Sequence, residues 1–295
     1  MDEREWLADR FEQHRGRLRG VAYQMLGSLA EADDAVQDAW LRASRAGADE
    51  VENLGGWLTT IVVRVCLNTL RSRAARREQP LGPYLPDPVI SPDRDLPPED
   101  AALLADSVGL ALLVVLDTLS PDERLAFVLH DTFGLPYTEI APMVGRTETA
   151  ARQLASRARR RVRAAGRLAP DPDRARQRAV VDAFYAAARA GDFDALVSLL
   201  HPDVVLHGEF GGRRGAPVLI QGAANVARQA RMGARADAVV HPVLVNGAVG
   251  AVITLHGRPF AIMGFTITGG RIAEIDAIAD PERVGRLAAG VLSGG

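Results

Sequence analysis

Apolar residues recur at helical spacing through roughly the first half of the chain. They line one face of residues 11–29 and one face of residues 32–43. The tetrapeptide Ser120–Glu123 has the form of a capping box, and Thr147 is a suitable N-cap for a later helix. This half is therefore predicted to be all-helical. The expected helices cover about 11–29, 32–43, 57–77 (after Gly55-Gly56), 101–118, 120–131, 138–144 and 147–165.

Beyond residue 173 the pattern changes from helical spacing to alternation. One helix is expected over 174–189 and another over 223–232, with β-rich runs around them. Asn246-Gly247 and Gly269-Gly270 are typical of tight hairpin turns. This part is predicted to be an α+β domain with a curved antiparallel sheet. The expected strands are 204–207, 218–220, 238–245, 249–256, 260–268 and 272–278.

Two Pro-rich stretches, 79–100 and 169–172, interrupt these patterns and are interpreted as linkers, because proline blocks helix continuation. They divide the 295 residues into segments 1–78, 101–169 and 173–295. No apolar run reaches the roughly 18 residues of a membrane span, and the charged N-terminus lacks a secretory pattern. With a single cysteine, Cys66, the expectation is a cytoplasmic protein without disulfides.

The net charge of −2 conceals an uneven distribution. Residues 57–78 carry five Arg against one acid, and residues 124–169 carry nine Arg against three acids, whereas residues 79–123 are strongly acidic. Two basic blocks indicate two nucleic-acid contacts, with solvated Arg-rich helix faces as the alternative. All 35 basic residues are Arg, which is typical of a GC-rich genome, so a single Arg is weak evidence for a phosphate contact.

The strongest motif is a helix-turn-helix over residues 137–163, with a basic second helix. Arg side chains suit guanine edges and Gln suits adenine, so this helix is expected to enter a major groove. A helical hairpin with a basic face is the alternative. The candidate DNA-contacting residues are Thr147, Glu148, Thr149, Arg152, Gln153, Ser156, Arg157 and Arg160.

Two further helix faces carry candidate binding residues. The helix after Gly56 presents Arg64, Asn68 and Arg71 on one side, and the polar loop before it has the size to hold an unstacked base. The helix over 32–43 has an acidic face, containing Asp34 and Asp38, that is either solvated or paired with a partner's Arg residues.

Together these tracts resemble an extracytoplasmic-function (ECF) sigma factor of bacterial RNA polymerase over essentially the first 168 residues. Asp34–Arg42 resembles region 2.2, Gly56–Arg77 resembles regions 2.3 and 2.4, and Leu119–Arg124 with the helix-turn-helix resembles regions 4.1 and 4.2. The family usually has Arg-Asn and then Asp in region 2.4, where this chain has Arg64-Val65 and Asn68.

The resemblance implies core RNA polymerase (β′ clamp and β flap) and promoter DNA as partners. It implies core contacts by Asp34, Gln37, Asp38 and Trp40, contacts to the −10 element by Trp57, Arg64, Asn68 and Arg71, and contacts to the −35 element by the eight helix-turn-helix residues named above.

The tail resembles the SnoaL-like, ketosteroid-isomerase-like cone fold, and sigma factors with such a tail form the SigJ-type group. Three motifs carry this likeness: Tyr84–Pro88, Glu209–Arg214 and Asp280–Val284. The resemblance implies two all-α domains followed by an α+β cone domain that tunes promoter opening by contacting the linker and core regions. The implied regulatory residues are Tyr84, Leu85, Pro86, Gly211, Gly212, Arg213, Asp280, Pro281, Glu282 and Arg283.

The tail also has polar residues that a small-molecule site would use, and a ligand there is left open. An isomerase would need a carboxylate base and an oxyanion donor, roles that Glu209 and Tyr185 suit, although no spacing demands it. A sigma factor needs no catalytic residue, cofactor or metal. Two rivals remain: a dimeric one-component helix-turn-helix regulator with a ligand-binding tail, and a SnoaL-like enzyme with a DNA-binding appendage. The remaining polar candidates are His207, His241, His256 and Asp276.

Overall fold

The computed structural model describes residues 3–47, 51–75, 85–93, 110–164, 171, 173–210 and 217–292. The chain forms two compact units. The first contains residues 1–79, 97–108 and 115–166, and the second contains residues 80–96, 109–114 and 167–295. The linker after residue 79 therefore groups with the C-terminal part of the chain.

The N-terminal part is helical, as predicted. Its helices are α1 (Glu3–Leu26), α2 (Leu29–Ala46), α3 (Leu54–Ala75), α4 (Leu110–Asp117), α5 (Pro121–Phe127), a π-helical turn (Val128–Thr132), α6 (Tyr137–Val144) and α7 (Glu148–Ala164).

Helices α1, α2 and α3 pack around a common apolar core that includes Phe11, Val36 and Val62, each almost completely buried. The start of α3 differs from the prediction, which placed Gly55-Gly56 before the helix. Asn53 Oδ1 accepts a hydrogen bond from Gly56 N at 3.0 Å, which satisfies a backbone donor at the helix start. The helix therefore begins at Leu54, and the glycines lie in its first turn.

The helix-turn-helix forms between α6 and α7. Gly145 ends α6 in the left-handed conformation, at φ +67°, and its N–H bonds to Ala141 O. Thr147 caps α7 through Oγ1, which accepts from Ala150 N at 3.3 Å. Helix α6 begins at Tyr137, one residue before the predicted start, and it contains Pro142.

The second unit contains a seven-stranded sheet with helices around it. The strand order is β1-β4-β5-β6-β7-β2-β3. Its elements are β1 (Ile90–Pro92), α8 (Arg174–Ala190), α9 (Phe193–Leu199), β2 (Leu200–Phe210), β3 (Pro217–Gln221), α10 (Ala223–Gly233), β4 (Ala238–Val245), β5 (Ala248–Leu255), β6 (Arg258–Thr268), β7 (Arg271–Ala279) and α11 (Pro281–Leu292).

The sheet is mixed, which corrects the antiparallel prediction. Strands β2 and β7 run parallel, with His207 opposite Asp276, while the other pairs are antiparallel. The seventh strand, β1, comes from the predicted linker and pairs with β4, with Ile90 opposite Val245. The alternation of apolar and polar residues along a strand does not show whether the neighbouring strand is parallel or antiparallel. Strand β1 was missed because it is too short and too rich in proline to show such alternation.

The two faces of the sheet carry different layers. On one face, Phe184 and Val181 of α8 pack on Phe265 and Ile275 with α9 and α10 nearby, and an apolar cavity of about 220 Å³ opens there. On the other face, α11 packs on β6 and β1. Within the described part of the chain, no helix has the length and apolar character needed to cross a membrane.

Both predicted hairpin turns form. Asn246 and Gly247 connect β4 to β5 with φ of +50° and +75°, and Gly269-Gly270 connects β6 to β7, also with positive φ. Asn tolerates this conformation better than most side chains, which explains its place at the first turn.

Candidate functional site

The second helix of the helix-turn-helix, α7, has one exposed polar face and one buried apolar face. Leu154, Ala155 and Ala158 are buried beneath it. All eight residues predicted to contact DNA are exposed on or just before this helix: Thr147, Glu148, Thr149, Arg152, Gln153, Ser156, Arg157 and Arg160.

Carboxylates on the preceding helices hold α7 in place. Glu123 completes the predicted capping box by accepting from Ser120 N at 3.1 Å, and it also pairs with Arg161 at 2.8 Å and with Arg157 at 3.5 Å. Arg159 donates to Asp131 at 2.6 Å. The sequence pattern placed Arg159 on the free basic side, whereas the structure gives it an intramolecular partner.

Tyr137 links the two helices of the motif. Its hydroxyl accepts from Arg159 at 2.6 Å, and the Arg152 guanidinium lies 5.3 Å from its ring centroid. A cation–π contact of this kind fixes the Arg152 side chain near the start of α7, where it remains exposed. The packing role of Tyr137 has no signal in the sequence beyond its place at the motif's start.

On α3, Arg64, Asn68 and Arg71 are exposed in one row, and Trp57 is half-buried. Arg71 pairs with Asp122 at 2.8 Å, so part of this row already has an acidic partner within the first unit. The loop before α3 lines a groove of about 630 Å³, to which α1 contributes Arg10, His14 and Arg17. Arg10 and Arg17 place two guanidinium groups beside the loop that was predicted to hold a base, and Glu52 and Glu139 also line the groove.

On α2, Asp34 and Gln37 are exposed, and Asp38 is partly exposed and paired with Arg42 at 2.8 Å. Trp40 packs against Phe11 with ring centroids 5.1 Å apart, so its ring supports the bundle core. Leu41 was not predicted, yet it is 44% exposed and lies seven residues after Asp34, on the same side of the helix.

The linker is held on the second unit by a buried network around Arg283. This side chain is 5% exposed and donates to Asp87 Oδ1 and to Glu209 Oε2, both at 2.6 Å, and to Leu85 O. Glu209 Oε1 accepts from Leu85 N at 2.6 Å. Burial raises the pKa of Glu209, while Arg283 and the Leu85 N–H act in the opposite direction.

A second set of contacts holds the linker further along. Asn246 Oδ1 accepts from Val89 N at 2.7 Å, and Asn246 N donates to Val89 O at 2.8 Å. Arg178 pairs with Asp93 at 2.7 Å and also donates to the carbonyls of Gly250 and Val243. Sequence reasoning did not connect Asn246 or Arg178 with the linker, because their partners there are far away in the chain.

The predicted regulatory residues fall into three groups. Leu85, Pro86 and Arg283 are buried, and Asp280 caps α11 by accepting from Arg283 N at 2.8 Å. Pro281 and Glu282 are exposed on the first turn of α11. Tyr84, Gly211, Gly212 and Arg213 lie outside the described residues.

Glu209 and Tyr185 are not brought together. Alternate residues of β2 face opposite sides of the sheet, so Leu206 and Phe210 line the cavity while Glu209 bonds to the linker on the other side. Tyr185 lies in the cavity wall, where its hydroxyl donates to Met263 Sδ at 3.3 Å, and burial raises its pKa. The base and oxyanion donor suggested for an isomerase therefore do not share a site.

The remaining polar residues of the tail have local partners. His241 Nε2 is 3.0 Å from Thr254 Oγ1, and His256 Nε2 is 3.1 Å from Asp237 Oδ2 on the surface. His207 lies between Glu274 and Asp276. Burial opposes its protonation, but Asp276 and Glu274, whose oxygens lie 3.3 and 3.1 Å from Nδ1, outweigh it and raise the pKa of His207 to about 9.

Comparison with known families divides the chain in the same order as these structural elements. Residues 10–76 match Sigma-70 region 2, residues 109–162 match Sigma-70 region 4, and residues 181–278 match the SnoaL-like domain.

Similarity to individual proteins extends over nearly the whole chain. The ECF RNA polymerase sigma factor SigJ of Mycobacterium tuberculosis is 40% identical over 287 residues, covering 92% of this chain and 91% of that protein. A probable ECF RNA polymerase sigma factor, SigI, of the same organism is 33% identical over 290 residues, covering 98% of each chain.

A solved structure agrees with these relationships. The crystal structure of the M. tuberculosis extracytoplasmic function sigma factor SigJ superposes with a TM-score of 0.73 at 35% identity, covering 94% of this chain and 97% of that one. The helical regions, the SnoaL-like tail and these relatives lead to one assignment: the chain belongs to the ECF RNA polymerase sigma factor family, in the form that carries a fused C-terminal SnoaL-like domain.

Proposed function

We propose that this sigma factor binds core RNA polymerase through α2, the −10 element through α3 and the −35 element through α7. We further propose that residues 1–78, 101–169 and 173–295 are its three domains, joined by the linker 79–100. The exposure of all eight residues predicted to contact DNA, on or just before α7, carries the DNA-binding part of this proposal, because none of these side chains packs in the core.

The two cationic helices suit separate promoter contacts. On α3, Arg64 and Asn68 are one turn apart and exposed, so both side chains can reach the same strand of nucleic acid. On α7, Arg152 and Gln153 lie in the first turns, where a helix entering the major groove meets base edges. The β′ clamp and the β flap are the proposed polymerase contacts.

The tail acts on the linker. The Arg283 network and the Asn246 turn hold residues 85–93 against the sheet at two points, through side chains that are almost fully buried. Since this segment connects the two helical domains along the chain, its attachment limits how far they can separate. We assign the tail the role of tuning initiation by holding or releasing this segment.

Run-off transcription with core polymerase tests the first part of the proposal. The variant carries Asp34→Asn and Asp38→Asn, which removes two negative charges from the proposed core-binding face with little change in shape. We expect at least about a tenfold loss of initiation, equivalent to about 1.4 kcal/mol of binding.

The matched control carries Asp194→Asn and Asp203→Asn, which makes the same change of charge at exposed positions of the tail. It should initiate as the unchanged chain does. Equal initiation by both double variants would contradict the assignment of α2 as the core-binding face. Binding of duplex DNA as a dimer, with no initiation from a selected promoter library, would favour the one-component regulator instead.

The cavity supports a second candidate function for the tail. Its walls are mainly apolar, and Met232, 70% exposed, and Phe210, 37% exposed, lie among its lining residues. Such a cavity suits a small apolar molecule. Naphthalene is a suitable probe, and it should raise the melting temperature of the chain but not of Ala277→Leu, which fills the cavity. The absence of a shift at saturation would remove this candidate.

A further inference from the structure

We propose that His207, Glu274 and Asp276 form a binding site for one divalent transition-metal ion, with Zn²⁺ the ion that their chemistry fits best. The site belongs to the second unit and does not depend on promoter recognition. It lies on the face of the sheet opposite the apolar cavity.

The parallel pairing of β2 with β7 creates the site. His207 lies directly opposite Asp276, and Glu274 precedes Asp276 by two residues, so all three side chains project from the same face. One ligand atom from each residue lies within 4.8 Å of the other two. The sheet therefore holds the three donors without help from a flexible loop.

The distances between donor atoms suit a small metal ion. His207 Nδ1 is 3.1 Å from Glu274 Oε1 and 3.3 Å from Asp276 Oδ1. Two ligands in a tetrahedral site with bonds of about 2.1 Å are separated by about 3.4 Å. One imidazole nitrogen and two carboxylate oxygens match the ligand types of Zn²⁺, and a fourth position remains for water.

Burial and charge provide the driving force. The Asp276 side chain is 4% exposed and the Glu274 side chain 9% exposed, while Asp276 Oδ1 lacks a hydrogen-bond partner among the residues the structure describes. The two carboxylates are almost fully buried and face the same imidazole, so a divalent cation bound between them would offset the cost of burying their charges.

Access is through His207, whose side chain is 15% exposed. The neighbouring residue on the same face, Glu209, is engaged with Arg283 and the linker, so it is not a ligand.

Titration of the full-length chain with Co²⁺ tests the site, because Co²⁺ in a tetrahedral site has intense visible d–d bands and Zn²⁺ displaces it. We expect one Co²⁺ per chain and at least about a 100-fold loss of affinity in His207→Gln and in Asp276→Asn. Zn²⁺ should raise the melting temperature of the unchanged chain but not that of Asp276→Asn. Because Asn has nearly the same shape as Asp, this variant tests the site even if His207→Gln does not fold.

His256→Asn is the matched control. It removes an exposed imidazole that pairs with Asp237, and Asn tolerates the positive φ of this position. This variant should bind Co²⁺ as the unchanged chain does. The proposal is overturned if neither ion binds at millimolar concentration, if His207→Gln and Asp276→Asn both retain the affinity, or if His256→Asn loses it.

Discussion

At the scale of single residues, Arg283 joins the tail to the first part of the linker. It pairs with Glu209 and Asp87 and also donates a hydrogen bond to the carbonyl of Leu85. Removing one member of a buried charge pair is much more costly than removing an exposed pair, because the partner stays buried without compensation.

Arg283→Met should therefore destabilise the tail by about 3 kcal/mol, measured by urea unfolding of the full chain. Arg286→Met is the control, since Arg286 lies on the same helix and is exposed, and it should change stability by less than about 0.5 kcal/mol. Equal effects of the two substitutions would contradict the importance of the network.

Cys66 gives a second prediction at this scale. Its side chain is fully buried in α3, and burial raises the pKa of its thiol to about 12, with Arg124 acting weakly in the opposite direction. Only the thiolate reacts, so alkylation by iodoacetamide at pH 8 should be at least about 1,000-fold slower than in the urea-unfolded chain. Labelling of the native chain at the unfolded rate would place Cys66 at an accessible position.

Sequence reasoning predicted the exposure of residues whose position depends on local spacing. The exposed positions Arg64, Asn68, Arg71, Arg152 and Arg160 follow from helical periodicity, and the cap at Thr147 follows from its residue type. The partner of Glu209 was not predicted, because it is Leu85, a residue 124 positions away. Local sequence patterns do not identify a partner that is so distant in the sequence.

At the scale of elements, the capping box of α5 stabilises two helices, α5 and α7. Glu123 closes the box with Ser120 and reaches Arg157 and Arg161 on α7, so one carboxylate orients two helices. A side-chain cap also explains the helix boundary that was predicted wrongly. The Asn53 side chain caps α3, so this helix begins at Leu54, before Gly55 and Gly56.

Glu123→Ala should destabilise the first unit by about 2 kcal/mol, because it removes the capping box and both ion pairs. Glu123→Gln keeps an oxygen that can accept from Ser120 N and should cost about half as much. The free energy of unfolding of both variants, with Glu139→Gln as an exposed control, distinguishes these contributions. Equal losses for Gln and Ala would show that charge, not capping, dominates.

At the scale of the whole molecule, the linker is part of a domain that begins more than 70 residues after it. The sequence predicted a connecting segment there, and the structure instead gives it an edge strand, β1, and two clamps. The helical first part and the α+β tail were predictable from periodicity. This long-range pairing was not, since three residues carry too little alternation to define a strand.

Asn246→Gly tests one clamp in isolation. Glycine keeps the positive φ of the turn but removes the acceptor for Val89 N, leaving a buried donor unpaired at a cost of about 1.4 kcal/mol. Thermolysin should then cut within residues 85–93 about tenfold faster. His256→Gly, a change at an equivalent turn position without a linker contact, should leave that rate unchanged, and an equal increase in both variants would contradict the clamp.

Strand β1 and the residues that hold it are far apart in the sequence, and this has a consequence for the newly made protein. Val89 leaves the ribosome 157 residues before Asn246, which at about 5–20 residues per second corresponds to roughly 10–30 s of translation. During that interval both helical domains have been synthesised while the sheet that clamps the linker does not yet exist. Each nascent chain therefore passes through a stage in which its tail has not yet been made and the linker is not held. The rate of translation determines how long this stage lasts.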